Sequence, residues 1–277
     1  MQHEELIFLK QAFNSAKNEL NNDKLFISVI KRKFAHSWRV LQNGRRIIYS
    51  GELPLLVNNK KLRIQAKQAL LFHDIGRFEE TVLAYKNASL DTFGKKYDHG
   101  VLGANILSEN PPFNDKKIML AVRHHGHLIE EFYNDEDYKA LSAEEQKIAE
   151  TYIKIVRDAD KLDLYNLQKT EYSIEKDPFF CSLSEEQKYA PVSSEVKEQF
   201  FDMKVIDHKT IRCFSDRILG CVSWIFDINY KYSLKMVEEN GYIDVLLNIM
   251  RKYYSDNADI EKIEVFAKER IKKRALA

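Results

Sequence analysis

The sequence predicts an all-α protein, because apolar residues recur at intervals of three and four along most of the chain. Hydrophobic residues make up 44% of the chain and charged residues 31%, with only 9 glycines and 5 prolines. This balance is typical of a folded helical protein and argues against a disordered or fibrous chain. Signals for β-strands are weak. We therefore predict a helical bundle with additional helices at its C-terminal end.

Five segments carry the clearest helical periodicity and are predicted to be helices. They are residues 62–72, 99–107, 115–125, 143–165 and 216–239. The fourth segment follows Ser142, and Glu145 three residues later completes a capping box, which satisfies free backbone donors at a helix start. A basic amphipathic segment, residues 262–274, is predicted to be a further helix with a solvated face.

The chain length suits one large domain with an elaborated second half, since single cores stop growing near about 250 to 300 residues. We predict a single domain over residues 1–277. Residues 168–194 are polar and irregular, so we expect them to form a long surface connection. Helical periodicity then resumes, and residues 195–277 are predicted to be a C-terminal helical elaboration.

Composition excludes several broad classes of protein. The net charge of +1 gives no general signal for polyanions, so no nucleic-acid partner is expected. Cys181, Cys213 and Cys221 lack a Cys-x-x-Cys spacing, so we expect buried reduced thiols rather than disulfides or structural zinc. No stretch approaches the ~20 apolar residues of a membrane helix, and residues 1–20 lack a signal-peptide pattern. We expect a cytoplasmic location, whereas the oligomeric state is not readable from these features.

Five histidines and two aspartates in segments of helical periodicity are candidates for a metal site. They are His36, His73, Asp74, His99, His124, His125 and Asp160. Residues three and four apart share a helix face, which places His73 with Ala69 and Asp160 with Val156. A carboxylate on an apolar face is costly to bury unless it binds a metal or pairs with a cation.

The choice of carboxylate and the type of site follow from neighbouring residues. Asp158 lies four residues from Lys154, so we expect these two to pair and choose Asp160 as the ligand. Any one of the histidines taken alone is more often a core residue than a ligand. As a set, imidazoles and carboxylates suit divalent transition metals, and the absence of nearby thiolates favours an open, catalytic site.

The order of these residues resembles the HD superfamily of metal-dependent phosphohydrolases, whose signature is an early His, a His-Asp pair and a later Asp. Here the signature is formed by His36, by His73 with Asp74, and by Asp160. The resemblance covers residues 25–168, which we take as the HD-domain core of the helical bundle. Two further elements resemble the subset of the superfamily that holds two metals. These are His99, which opens a His-x-x-x-Gly-x-x-Ile-Leu segment, and the pair His124 and His125.

The resemblance implies a ligand set for each of two ions. The first ion would be held by His36, His73, Asp74 and Asp160. The second would share Asp74 and be held by His99 and His124, with His125 as a further ligand or a substrate contact. Iron, manganese, cobalt, nickel and zinc are all compatible with these ligand types. The implied reaction is hydrolysis of a phosphate monoester or diester, nucleotides included, by a metal-activated water.

Cations beside the metals are expected to bind the substrate phosphate, and Arg77 and Lys161 are the candidates, with Arg123 behind them. Together with Asp74, Arg77 and Lys161 are the predicted catalytic residues. Glu79 and Glu80 are expected to be exposed acids. The expected partner is a small phosphate ester or nucleotide. Because no Gly-Tyr-Pro follows His125, a cyclic dinucleotide is not the expected substrate.

Two other functions stay open at this point. The scaffold and ligands also resemble the mixed-valent di-iron oxygenases, which fold and ligand type do not separate from hydrolases. Iron dependence and oxygen consumption distinguish them. The third alternative is an inactive HD domain that binds a nucleotide as a sensor, which turnover of any phosphoester would exclude.

Overall fold

Helices are the only regular secondary structure in the part of the chain that the computed structural model describes, namely residues 3–87, 96–170, 174, 177–254 and 257–276. The structure is 78% helical and has no strand among these residues, which confirms the predicted all-α fold. The α-helices, in chain order, are α1 His3–Glu19, α2 Lys24–Ile48, α3 Pro54–Asn58, α4 Lys60–Phe72, α5 Gly76–Lys86, α6 His99–Ser108, α7 Lys116–His124, α8 Ile129–Asn134, α9 Glu136–Lys139, α10 Ala143–Thr170, α11 Pro178–Ser182, α12 Glu185–Tyr189, α13 Ser194–Phe201, α14 Phe214–Ser223, α15 Lys231–Glu239, α16 Tyr242–Arg251 and α17 Asn257–Leu276.

The chain, for which we predict one domain, divides into two compact units, residues 1–160 and residues 161–277. The boundary falls inside α10. Among the described helices, none combines the length and the apolar character that a membrane span requires. Cys213 and Cys221 are buried as expected, whereas Cys181 is exposed.

The helices of the first unit pack both against neighbours in sequence and against helices further along the chain. α2 lies against α4 and α5, α5 also contacts α1 and α6, and α7 contacts α4 and α6. An aromatic cluster of Phe8, Phe72 and Phe113, with ring centroids 4.8 to 5.5 Å apart, fills the space between α1 and α4. This packing anchors the C-terminal end of α4, directly before His73 and Asp74.

Four of the five predicted helical segments in the sequence correspond to single helices, namely α4, α6, α7 and α10. The capping box at α10 is present: the Glu145 amide donates to the Ser142 hydroxyl, and the Ser142 amide donates to the Glu145 carboxylate.

The predicted continuous helix over residues 216–239 is wrong. The structure has α14, then a 3-10 turn at Trp224–Asp227, and then α15. The break is stabilised by Arg274 of α17, whose guanidinium donates to the carbonyls of Ile225 and Ile228. Both carbonyls lie outside the α-helices, so a side-chain donor helps to satisfy them. Within residues 168–194, the expected long connection contains α11 and α12, while residues 171–173 and 175–176 lie outside the described residues.

Two glycines allow the backbones of α5, α6 and α7 to approach closely. A Cβ atom on Gly76 would lie 2.1 Å from the carbonyl oxygen of His99 and 2.5 Å from the amide nitrogen of Gly103. A Cβ on Gly100 would lie 2.2 Å from the carbonyl oxygen of Arg123. These contacts are with backbone atoms, which cannot rotate away. Glycine at position 76 therefore permits the close approach of the starts of α5 and α6, and glycine at position 100 permits that of α6 and the end of α7.

We expect Gly76→Ala to destabilise the protein by about 1 to 3 kcal/mol, because the added methyl forces α5 and α6 apart, as overpacking does. The urea midpoint of unfolding measures the change. Gly220→Ala is the matched control, since its Cβ would meet only the Ile211 side chain at 3.5 Å, an ordinary contact. A midpoint for Gly76→Ala equal to that of the wild type would contradict the close packing.

Candidate metal centre

Six of the seven predicted ligand residues lie together in the first unit. His36 lies on the inner face of α2, and His73 and Asp74 follow α4 directly. His99 is the first residue of α6, and His125 follows the last residue of α7. The sixth residue, Asp160, lies on α10 and is half-buried. The site is thus built mainly at helix ends, where a short turn aims each side chain.

One group of side chains forms around His36. Its Nε2 lies 3.2 Å from Nε2 of His73 and 3.0 Å from Oδ1 of Asp160. The Oδ2 atom of Asp74 lies 3.6 Å from Nε2 of His36 and 3.8 Å from Nε2 of His73. His36, His73 and Asp74 are buried and present their ligand atoms within 4.8 Å of one another.

A second group forms on the other side of Asp74. Nε2 of His99 and Nε2 of His125 are 3.1 Å apart. They lie 3.4 Å and 3.6 Å, respectively, from Oδ1 of Asp74. The two oxygens of one carboxylate therefore face two different sets of imidazoles. This arrangement suits a carboxylate shared by two cations.

Backbone carbonyls orient two of the imidazoles. Nδ1 of His73 lies 2.9 Å from the Leu70 carbonyl oxygen, and Nδ1 of His125 lies 2.8 Å from the Val122 carbonyl oxygen. A carbonyl only accepts hydrogen bonds, so each Nδ1 donates and carries the proton. In the neutral ring, Nε2 then has a free lone pair directed into the site. A hydrogen bond from the other ring nitrogen to a backbone carbonyl fixes the orientation of a metal-binding histidine.

Charges in the site favour cation binding at neutral pH. Burial lowers the pKa of His73 to about 4 and holds the pKa of His99 well below its ordinary value. Burial alone would raise the pKa of Asp74, but Lys33 and His73 outweigh it and hold this pKa well below its usual range. The pKa of Asp160 is lowered in the same way, with His36 as the main partner that outweighs burial. The imidazoles of His73 and His99 are thus neutral, and the carboxylates of Asp74 and Asp160 are ionised, as metal ligands must be.

We expect the metal-free protein to lose stability as the pH falls from about 6.5 to about 4. The pKa of His73 is about 4 in the folded protein and about 6.5 in the unfolded chain, so only the unfolded chain takes up the proton in this window. His73 alone then accounts for about 3 kcal/mol of unfolding free energy by pH 4. Urea unfolding of chelator-treated protein between pH 7 and pH 4.5 measures this loss. A constant unfolding free energy over that range would contradict the burial of neutral His73.

The residues present fit a pair of divalent transition metals. Ligand atoms about 2.1 Å from one ion, at angles of about 90° to 110°, lie roughly 3.0 to 3.4 Å apart. The nitrogens of His36 and His73 are 3.2 Å apart, and those of His99 and His125 are 3.1 Å apart. Imidazole nitrogen and carboxylate oxygen are also the donors that these metals share.

Two cations adjoin the shared carboxylate. Nζ of Lys33 lies 3.0 Å from Oδ2 of Asp74, and Nε of Arg77 lies 3.5 Å from Oδ1. Arg77 also donates from Nη1 to Glu80 at 2.7 Å. The expectation that Glu80 is exposed is wrong, because it is fully buried beside this guanidinium, while Glu79 is exposed. Lys33 is not among the site residues predicted from the sequence, although it lies one turn before His36 on α2.

His124 lies outside both groups of side chains, and its assignment to the second ion stays a prediction. Its Nε2 lies 2.7 Å from Oδ2 of Asp135 and donates to it. His125 takes the expected place beside His99. Arg123 is likewise directed elsewhere, because its Nη1 pairs with Asp135 at 2.8 Å and with Asp137 at 3.2 Å.

The observed partners of two lysines, Lys154 and Lys161, are not predicted from the sequence. Lys154 pairs with Glu150 at 3.2 Å, not with Asp158, and Asp158 is fully buried. Lys161 is the first residue of the second unit, where its Nζ lies 2.6 Å from Oδ2 of Asp227. Its role as a substrate contact stays a prediction.

Comparison with known protein families gives one finding. Residues 34–165 match the family model described as the HD domain. The matched residues include every member of both groups, from His36 to Asp160, whereas Lys33 lies just before them. No curated protein and no solved structure matches the chain.

Proposed function

We propose that the protein is a metal-dependent phosphohydrolase that uses two divalent transition metals, in keeping with the match of residues 34–165 to the HD domain. The substrate is a small phosphate monoester or diester, nucleotides included. The first ion is held by His36, His73, Asp74 and Asp160, and the second by Asp74, His99 and His125.

The observation that carries this proposal is the position of the Asp74 carboxylate. One of its oxygens faces His36 and His73, and the other faces His99 and His125. A structural histidine cluster has no need for a buried carboxylate shared in this way. Burying such a group is costly unless it is paired, and cations on both sides offset that cost.

When bound, the ions would supply a nucleophilic water near neutral pH and would stabilise charge on the attacking and leaving oxygens. The residues of the chain supply position and charge. Asp74 fixes the spacing of the two ligand groups. Lys33 and Arg77, beside its two oxygens, place positive charge where phosphate oxygens bind. In the reaction, a water oxygen forms a bond to phosphorus, the ester P–O bond breaks, and the leaving alcohol oxygen takes up the proton that water releases.

We expect Lys33→Met to raise the KM for a phosphoester by about tenfold to a hundredfold at saturating metal, since a charged hydrogen bond contributes about 1.5 to 3 kcal/mol. Steady-state kinetics with p-nitrophenyl phosphate and bis-p-nitrophenyl phosphate provide the measurement. Lys31→Met is the matched control, because Lys31 lies on the same helix and is exposed. Equal KM values for the two variants would remove Lys33 from the substrate site.

The experiment that tests the proposed function combines metal analysis with a substrate screen. Protein purified without chelator is analysed for transition metals and then assayed with phosphomonoesters, phosphodiesters and nucleotides, with Mn²⁺, Co²⁺, Ni²⁺, Zn²⁺ or Fe²⁺ added. We expect about two ions per chain and phosphate or phosphomonoester release that stops after chelation and returns with metal.

Other outcomes contradict the proposal in distinct ways. Activity that requires iron and consumes oxygen with the substrate would favour the oxygenase alternative. Nucleotide binding without turnover under any metal would favour the sensor. No bound metal and no hydrolysis would leave the histidines as core residues.

A further inference from the structure

Arg157 is a buried cation whose position the proposed chemistry does not explain. Only 5% of its surface is exposed. Its Nη1 donates to the backbone carbonyls of three residues in one short stretch, at 3.2 Å to His124, 2.9 Å to His125 and 2.5 Å to His127. A guanidinium that binds carbonyls of neighbouring residues fixes the path of that backbone.

The stretch that Arg157 holds is the end of α7 and the turn that follows it. The last carbonyls of a helix have no partner within the helix and form the negative end of its dipole. A cation there both donates hydrogen bonds to these carbonyls and interacts favourably with the dipole. The same turn carries His125. The direction of Nε2 of His125 depends on the hydrogen bond from its Nδ1 to Val122, which requires this backbone conformation.

Arg157 also lies one turn before Asp160 on α10. The helix that supplies a carboxylate to the first group therefore fixes the turn that supplies His125 to the second group. We propose that Arg157 is a positioning residue, which holds His125 so that its Nε2 faces Asp74 and His99. In its consequence for metal binding, this inference rests on the proposed two-metal site.

The first arm of the test measures the binding of Mn²⁺ to the metal-free full chain by isothermal titration calorimetry. We expect Arg157→Met to weaken the binding of the second ion by about 10- to 100-fold. This is the usual loss of metal affinity when a residue that orients a metal ligand is removed. The first ion should be weakened by less than about threefold, because none of its four ligand residues lies in this turn. Arg157→Lys, which keeps the charge on a shorter side chain, should give an intermediate affinity for the second ion.

Tyr152→Phe is the matched control. Tyr152 lies on the same helix and is fully buried, and its hydroxyl donates to the Leu62 carbonyl and to Gln65. Both variants thus remove buried hydrogen bonds from α10, but only Arg157→Met acts on the His125 turn. Equal weakening of both ions in Arg157→Met, or the same result in Tyr152→Phe, would overturn the inference.

The second arm does not depend on metal. Ring-nitrogen NMR of the metal-free protein should show His125 protonated at Nδ1 in the wild type and a mixture of tautomers in Arg157→Met. His73, whose Nδ1 donates to Leu70, serves as the internal reference and should stay unchanged. An unchanged His125 tautomer in a folded Arg157→Met protein would overturn the positioning role. A wild type that binds no metal, with the tautomer change present, would instead contradict only the proposed function.

Discussion

Asp74→Asn is expected to remove both metal ions and to lower phosphoester hydrolysis by on the order of 10⁴-fold, since each 1.36 kcal/mol of lost transition-state stabilisation is tenfold. The side chain keeps its shape, but it loses its charge and one of its two acceptor oxygens. Its amide nitrogen must then face either His36 and His73 or His99 and His125. No other residue in the two groups is shared by both, so no other single change should remove both ions.

Elemental analysis and initial rates for the wild type and Asp74→Asn measure this effect. The control is Asp202→Asn, the same chemical change at an exposed carboxylate that pairs with Lys204. Circular dichroism should show both variants to be helical. Retention of two ions by folded Asp74→Asn would contradict the shared position of this carboxylate. Loss of only one ion would mean that Asp74 serves a single group.

Much of the site is predictable from sequence because its ligands lie in segments with strong helical periodicity. His36, His73 and Asp160 each lie on an apolar helix face, and the structure brings them together through the packing of α2 against α4 and the passage of α10 beside them. The order of the residues resembles that of the HD superfamily even before the distances are known. Periodicity also predicts α10, since the predicted helix over residues 143–165 begins where α10 begins and ends five residues before α10 ends.

Other features depend on tertiary contacts that periodicity does not contain. Lys33 and Glu80 carry charges that sequence patterns assign to the surface, and only their pairing with Asp74 and Arg77 explains their positions. The break between α14 and α15 depends on Arg274, almost 50 residues further along the chain, which stabilises the freed carbonyls. A segment with apolar spacing throughout gives no local signal of such a break.

Adjacent histidines are the clearest case of this limit. Neighbouring residues on a helix point about 100° apart, so His124 and His125 are not expected to face the site equally. Which one faces inward depends on how α7 docks against α6, through the close contact at Gly100. The structure places His125 inward and directs His124 to Asp135.

His125→Ala is therefore expected to retain about one ion and to lose roughly 10³-fold in activity, about 4 kcal/mol of transition-state stabilisation. His124→Ala should keep both ions and most of the activity. It should instead lower the unfolding free energy by about 1 to 3 kcal/mol, because Asp135 loses a largely buried charged hydrogen bond. Each variant is the control for the other, since the two remove the same side chain from neighbouring positions.

Metal stoichiometry, initial rates and urea unfolding of the two variants separate these expectations. If His124→Ala loses an ion while His125→Ala retains two, α7 is rotated by about one residue relative to the structure and His124 is the ligand. If each variant loses one ion, both histidines serve the second site, and Asp135 acts as the outer partner that orients His124. The structure predicts that His125→Ala loses one ion and that His124→Ala loses none. Nε2 of His125 lies 3.6 Å from the shared carboxylate, whereas Nε2 of His124 lies 2.7 Å from Asp135.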